Sequence, residues 1–475
     1  MTATLDLDDI QGLLVRGYSR LKAASFLLLQ IADPAAARRW VAAVAGRITP
    51  GGASPNDLAT HLAFTYAGLE CLGLRQEGLA GFPPEYARGM TTAHDSRMLG
   101  DLGESSPACW RWGAPTTPPV HLVLLLYGRD AATLGAAVER HQDELARSGL
   151  VELVRLETTP LGLQENFGFH DGISQPLIDG LPRAVSTLDT VAAGEFILGY
   201  QNQYGRYTER PLLPAAADAE LLLPRDPEGS GNADLGRNGT YLVLRQLRQD
   251  VPGFWQFLDR VTRQADGGGD QAARIRLAAK MVGRWPGGAP LVMAPDEDVR
   301  DLADANDFRY AAADPDGRRC PHGAHIRRAN PRDSLDPSPG SQRSIDVGKR
   351  HRILRRGRVY GPPLDQTAAL ATDSPDGDEE RGLHFICLNA NIARQFEFIQ
   401  HTWINNPKFN GLYDDPDPVT TAAREFGGTF TIQASPLRQR VTGLPSFVTV
   451  LGGAYFFLPG IRAIRYLASA EEVSR

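Results

Sequence analysis

Cysteine is scarce in this sequence: four in 475 residues, at Cys71, Cys109, Cys320 and Cys387. No two stand in a C-x-x-C pair and nothing suggests a disulfide framework, so a reducing compartment is expected. Positive charge is not in surplus either. A formal net charge of −6 argues against general nucleic-acid binding, which rests on neutralising phosphates. No apolar run approaches the ~18 residues of a membrane span, so no membrane partner is expected. The opening MTATLDLDDIQG carries early acids and no basic stretch. Neither a signal peptide nor a twin-arginine pair is read there, and the expected location is cytoplasmic. No internal sequence repeat is visible.

What is present is ordinary globular material. Apolar residues make up 42% and charged residues 22%, enough for a sizeable core, and the length suits two to three domains, or two enlarged ones. Segment 25–31 (SFLLLQI) reads as a buried strand, and Pro34 opens a helix that runs to Gly46. Strands follow at 62–66 and 120–127, a helix at 131–148 stopped by Gly149, and a strand at 151–157. That order, β-α-β-β-α-β, is the ferredoxin-like arrangement of an antiparallel sheet with helices on one face. Past a turn-rich stretch at 180–240, the order returns with long insertions. Strands are expected at 240–247 and 382–388, helices at 254–264, 272–281 and 392–403, and one broken strand or a strand pair at 446–458. Loops around 313–343 and 361–380 are rich in Pro, Asp and Gly.

Three stretches carry chemistry. The first is 165–180, ENFGFHDGISQPLIDG. Glycines bracket Asp171, and Pro176 bars a helix, so a tight loop should push one carboxyl among Phe167, Phe169 and Ile173. Burial raises a carboxyl pKa towards working pH, which suits a proton shuttle. The competing reading is an exposed Asp-Gly turn. The second stretch is 320–332, CPHGAHIRRANPR. Cys320, His322 and His325 allow a zinc site with no obvious fourth ligand, an ordinary buried histidine, or a haem axial imidazole. The third is 351–361, HRILRRGRVYG. Its arginines look like a nucleic-acid patch or a solvated face, except that Ile353 and Leu354 should bury part of it.

Taken together and in order, these segments resemble the dye-decolourising peroxidases, a haem family. The resemblance covers FGFHDGISQP, the CPxGAHIRRxNPR run, and ILRRG followed by Tyr-Gly. It extends to the DIQG element at Asp9 to Gly12, to EFILGY at 195–200, and to 382–417, and so spans nearly the whole chain. It implies a chain of two ferredoxin-like domains of the dimeric α+β barrel type, at 1–190 and 191–475. One haem b would lie mainly in the second domain, and a homo-oligomer is allowed. It makes His325 the iron ligand and Asp171 the proton shuttle. Arg355 becomes the distal arginine, with Arg352 and Arg356 as near alternatives. Gly172, Ile173, Ser174, Asn330, Pro331 and Arg332 would line the cofactor, Arg332 pairing a propionate. Where many relatives orient the proximal imidazole with an acid, the matching position is Asn391. The implied activity is reduction of hydrogen peroxide with oxidation of dyes, phenolics or other one-electron organic donors. Trp110, Trp112, Trp255, Trp285, Trp403 and Tyr360 are candidates for carrying electrons from the surface, each weighed against an ordinary core role. The rival reading is a non-catalytic haem protein: a carrier, a sensor, or a deferrochelatase-like protein.

Overall fold

The structure, a computed structural model, describes residues 4–469 apart from 146, 183–188, 336, 372–378 and 421–426. Residue 146 of the helix expected over 131–148, and parts of the stretches 180–240, 313–343 and 361–380, therefore lie outside the described residues.

The first half builds strand β1 (Ala23–Ile31), helix α1 (Pro34–Ala45), strands β2 (Leu58–Phe64) and β3 (Leu122–Gly128), helix α2 (Ala131–Leu145) and strand β4 (Leu150–Glu157). Asp33 caps α1 by accepting from the N–H groups of Ala35 and Ala36, with Pro34 in the first turn. Strand β2 stops at Phe64, short of the expected 66, because Thr65 leaves the sheet and accepts from Gly68 N–H to cap the next helix.

The second half repeats the plan with strand β5 (Thr240–Gln249), helices α3 (Val251–Thr262), α4 (Gln271–Val282) and α5 (His325–Ala329), strands β6 (Leu354–Arg355), β7 (Arg358–Tyr360), β8 (Gly382–Asn389) and β9 (Val448–Leu458), and helix α6 (Ile461–Ser469). Helix α3 starts at Val251 rather than at 254, since Asp250 caps it and Pro252 sits in its first turn, where a missing N–H costs nothing. The expected helix at 392–403 is π-helical, Ala393–Glu397 and Ile399–Ile404. The segment at 446–458 is one strand with a bulge between Val450 and Gly452. Several elements stand outside the sequence expectation, among them helices at Tyr66–Cys71 and Ala93–Leu99, a helix at Gln366–Ala371 inside the expected 361–380 loop, a helix at Gln342–Arg350, a hairpin of Gly428–Ile432 with Gln439–Leu444, and α6 itself.

All the long strands join one nine-stranded antiparallel sheet in the order β6-β8-β5-β9-β2-β3-β1-β4, with β7 also on β8. Each half thus has the ferredoxin-like strand order, and the halves meet where β9 pairs with β2 at Phe457 and Phe64. The strand path is open at β6 and β4, with no closed barrel among the described residues. Alternate residues of β1 enter different cores. Leu27 and Leu29 join Trp40, Val41 and Val138 under α1 and α2. Phe26 and Leu28 join Leu244 and Ile386 from the second half. Both faces are covered, which is why β1 and β3 read as continuous apolar runs rather than alternating ones. A third core lies under α3 and α4, and Phe167 and Phe169 reach it from the first half's trailing loop.

The DIQG element ties the ends together. Gln11 Nε2 donates to the carbonyls of Leu62 and Pro459 at 2.8 and 2.9 Å, and its Oε1 accepts from Leu62 N–H at 3.1 Å. Asp9 accepts from Asn238 at 2.6 Å and from Arg462 N–H at 2.7 Å. No helix among the described residues is long and apolar enough to cross a membrane.

Candidate active site

The loop after β4 is folded around a carboxylate other than the expected one. Glu165 accepts from the N–H groups of Phe167 and Phe169, both at 3.0 Å, and its own N–H reaches Phe169 O at 2.9 Å. This closes a tight ring in which Gly168 takes φ 94, and Gly172, beyond the ring, takes φ 84, a region that glycine enters freely. Phe167 packs tilted against Phe254 with ring centroids 4.7 Å apart. The loop is thereby pinned to α3, and Asp171 projects from its far side.

The proximal element reaches the same cavity from the end of α4. Gly283 takes φ 101, and a Cβ there would lie 2.4 Å from Ile326, so only glycine lets α4 end against α5. Helix α5 begins at His325. Its Nδ1–H donates to Asp417 Oδ2 at 2.8 Å, while Asp417 Oδ1 accepts from the N–H groups of Val419 and Thr420, each at 2.9 Å. Nδ1 is thereby engaged, which leaves Nε2 as the ring nitrogen available to a ligand. Burial pushes the imidazole pKa down, but the charge and hydrogen bond of Asp417 outweigh it and hold it above the ordinary value. Burial raises Asp417, and His325 more than reverses that. Both directions are those of a charge-assisted pair.

Across the cavity, Arg355 on β6 donates from Nη1 to Asp171 Oδ1 at 2.9 Å. Burial pushes the Asp171 carboxyl up; the Arg355 charge and the Gly172 N–H outweigh it and hold it below the usual carboxylate range. The two side chains remain 43% and 35% accessible because their open faces turn to the cavity. The surrounding cavity has about 1310 Å³ of non-atom space, mouth included. Asp171, Arg355 and His325 all line it, and so do Ile173, Ser174 and Asn330. Gly172 lines a second cavity on the other side of the Asp171–Arg355 pair.

Several expected residues stand elsewhere. Asn391 does not touch His325: its Oδ1 accepts from Arg394 N–H at 2.8 Å and caps the π-helix, and Asp417 holds the imidazole instead. The signal for this was an Asn three residues before an N–H at a helix start, a capping position. Pro331 and Arg332 do not line the main cavity. The Arg332 guanidinium bonds Asn306 and stacks over Phe308 at 3.8 Å. Arg356 donates to the carbonyls of Leu13 and Leu14 at 2.7 and 3.1 Å, so it serves the N-terminal segment. His322 bonds Asn410 at 2.7 Å, and Cys320 is buried beside Tyr310, so this motif does not gather around one point. Trp110, Trp112, Trp255, Trp285, Trp403 and Tyr360 are all buried.

The cavity suits a flat dianionic macrocycle. Its walls include Leu247, Ile326, Ala329, Leu383 and Val448. Two further guanidiniums face it: the buried Arg284, which the sequence did not single out, and the half-buried Arg352, expected there only as an alternative distal arginine. Burial, helped by the nearby charge of Arg332, pulls each down to about 10. Among the described residues neither is paired with a carboxylate. Arg352 reaches only Ser174 O, at 3.4 Å, and Arg284 Nη2 has no partner. The buried Asn330 Nδ2 has none either. Cations and donors left in this state fit the two propionates of a haem, with His325 placed for its iron.

No family model matches the chain. It is 32% identical to Peroxidase 2 of Mycetinis scorodonius, covering 97% of this chain and 87% of that protein. It is 30% identical to a dye-decolorizing peroxidase of Mycena epipterygia, covering 98% and 88%. Among solved structures it superposes on a dye-decolorizing peroxidase in complex with 2,6-dimethoxyphenol, with TM-score 0.78 and 26% identity, over 98% of this chain and all of that one.

Proposed function

The chain belongs to the dye-decolorizing peroxidase family, and on that premise we propose that it holds one haem b, with His325 as axial ligand, Asp171 as proton-transfer group and Arg355 as the charge stabiliser. The protein is a haem-type peroxidase that reduces hydrogen peroxide and oxidises dyes, phenolics or other one-electron donors. The observation that carries the residue assignment is a single cavity with an acid–arginine pair on one wall and an imidazole–carboxylate pair on the other.

When bound, the haem supplies the iron that takes peroxide and the two oxidising equivalents passed on to donors. The chain's own residues do the rest. Asp171, ionised because Arg355 holds its pKa down, takes a proton from one peroxide oxygen and returns it to the other. Arg355 neutralises the negative charge that builds on the departing oxygen. Asp417 keeps Nδ1 of His325 occupied and raises the ring's basicity. Arg284 and Arg352 anchor the propionates. A small phenol is the proposed donor class, in line with the 2,6-dimethoxyphenol complex of the solved relative.

The test is a spectrum and an assay on purified protein. The reading predicts a Soret band and peroxide-dependent oxidation of 2,6-dimethoxyphenol and a dye. Haem-loaded protein that oxidises neither would return the choice to a non-catalytic haem carrier or sensor.

A further inference from the structure

Glu165 is a half-buried residue whose carboxyl the mechanism above does not use. It is clamped by three neutral donors: Phe167 N–H and Phe169 N–H at 3.0 Å and Gln249 Nε2 at 2.7 Å. Among the described residues no cation pairs with it. It lines both the main cavity and the second cavity behind the loop, and Asp171 and Arg355 also line both. The second cavity is rimmed by Gly162, Leu163 and Gln164, which are exposed, Leu163 at 74%. Glu165 therefore stands where a solvent-reaching space meets the wall of the catalytic one.

Peroxide reduction creates a need at this spot. Breaking the O–O bond and making two waters takes two electrons, from the donors, and two protons beyond the two that peroxide brings. Asp171 moves peroxide's own proton from one oxygen to the other and ends as it began. The first water leaves with both original protons, so the second oxygen becomes water only when two more arrive from solvent. We propose that Glu165 is the residue through which those protons enter, passing them to the Asp171 side of the cavity and recovering them from the second cavity. This rests on the functional reading above.

The surroundings support a carboxyl that exchanges its proton near neutrality. Burial, with the negative charge of Asp171 beside it, outweighs the Phe169, Phe167 and Gln249 donors and holds Glu165 up at about 7. The charged groups facing it from neighbouring elements are Arg355 on β6, His325 on α5, and Arg284 and Arg352 across the main cavity. From the second cavity, Arg356 and Arg358 face it. None of these is a donor to Glu165; the arginines act at a distance, where their positive charge favours its ionised form.

The deciding experiment compares wild type, E165Q and Q249A as purified haem-loaded proteins. In wild type, turnover at saturating donor should fall as pH rises through the ionisation of Glu165. E165Q should keep its Soret band, lose about tenfold in turnover, show a larger solvent deuterium isotope effect, and lose that alkaline limb. Q249A, which removes a donor that favours the ionised carboxyl, should move the limb to higher pH. Independently of activity, an infrared difference spectrum across neutrality should show a protonated-carboxyl band that vanishes on raising pH and is absent from E165Q. An active wild type whose limb and carboxyl band persist unchanged in E165Q, or whose limb does not move in Q249A, overturns the inference alone. A haem-loaded wild type that turns over no peroxide overturns the functional reading and this inference with it.

Discussion

At the scale of single residues, the chemistry depends on which charges are held against burial. Asp171 is a carboxyl kept ionised inside a cavity by one guanidinium. Its folded pKa is depressed, so its basic form persists as pH falls through the ordinary carboxylate range and is lost only below it. A base of this kind still works where a histidine with pKa ~6.5 is protonated. Peroxide consumption should therefore continue in mild acid. Asp171→Asn, which keeps the shape, should hold the Soret band and lose about 100-fold or more in the rate of the spectral change after peroxide addition. Stopped-flow traces across pH for both proteins check this, and an equal rate in the variant would remove Asp171 from acid–base duty. On the opposite wall, His325→Ala should purify without bound haem and His322→Ala with it, since His322 bonds Asn410 outside the cavity. Absorbance per protein at the Soret maximum distinguishes them. Asp171 and His325 were singled out in the sequence by the resemblance of their motifs to the family, since the residues alone left an exposed turn and a zinc or ordinary histidine open; the structure brings both into one cavity. Asp417 was not singled out, because its role depends on a contact spanning 92 residues, which no local pattern encodes.

At the scale of elements, the run from Arg352 to Arg358 shows what a charge pattern alone leaves open. Four arginines crowd one short stretch, and the fold gives them different tasks. Arg352 faces the cavity beside Ser174, and Arg355 pairs with Asp171. Arg356 and Arg358 donate to carbonyls of residues 13–18. A strand alternates sides, so neighbours diverge, but which side meets the cavity is fixed by the pairing of β6 with β8, Arg355 opposite Cys387. Arg355→Leu should slow the peroxide reaction while haem stays bound. Arg352→Leu should instead weaken haem retention, contrary to a purely stabilising role. Arg356→Leu should lower stability by about 1–3 kcal/mol, through the orphaned carbonyls of Leu13 and Leu14. Haem transfer to an acceptor protein, peroxide kinetics and denaturant midpoints separate the three. The strands of the main sheet were legible because they are long and apolar. The helix at Gln342–Arg350 was not, since its polar sequence resembles a loop and its start rests on one Ser341 cap.

At the scale of the whole molecule, the two repeated halves are not independent blocks laid end to end. A boundary near residue 190 is proposed from the order of elements, yet the last helix, α6, packs against α1 of the first half: Ile461, Ile464 and Leu467 share a core with Trp40, Val41 and Val44. The DIQG element locks this closure. Gln11 is fully buried and supplies three hydrogen bonds, one to a carbonyl 448 residues away. Removing it leaves the backbone carbonyl of Pro459 and the N–H of Leu62 without those partners, and each orphaned buried group costs about 1–3 kcal/mol. Gln11→Ala should therefore cost several kcal/mol and lower the denaturant midpoint without changing the slope of unfolding. Because Gln11 does not line the cavity, the folded variant should keep its Soret absorbance and its turnover per haem. Equilibrium unfolding followed by tryptophan fluorescence, together with peroxide turnover on the same preparation, tests both halves of this statement. A Gln11→Ala protein as stable as wild type would mean that the chain ends are held by the α1–α6 packing alone, and that the buried amide adds no net stability.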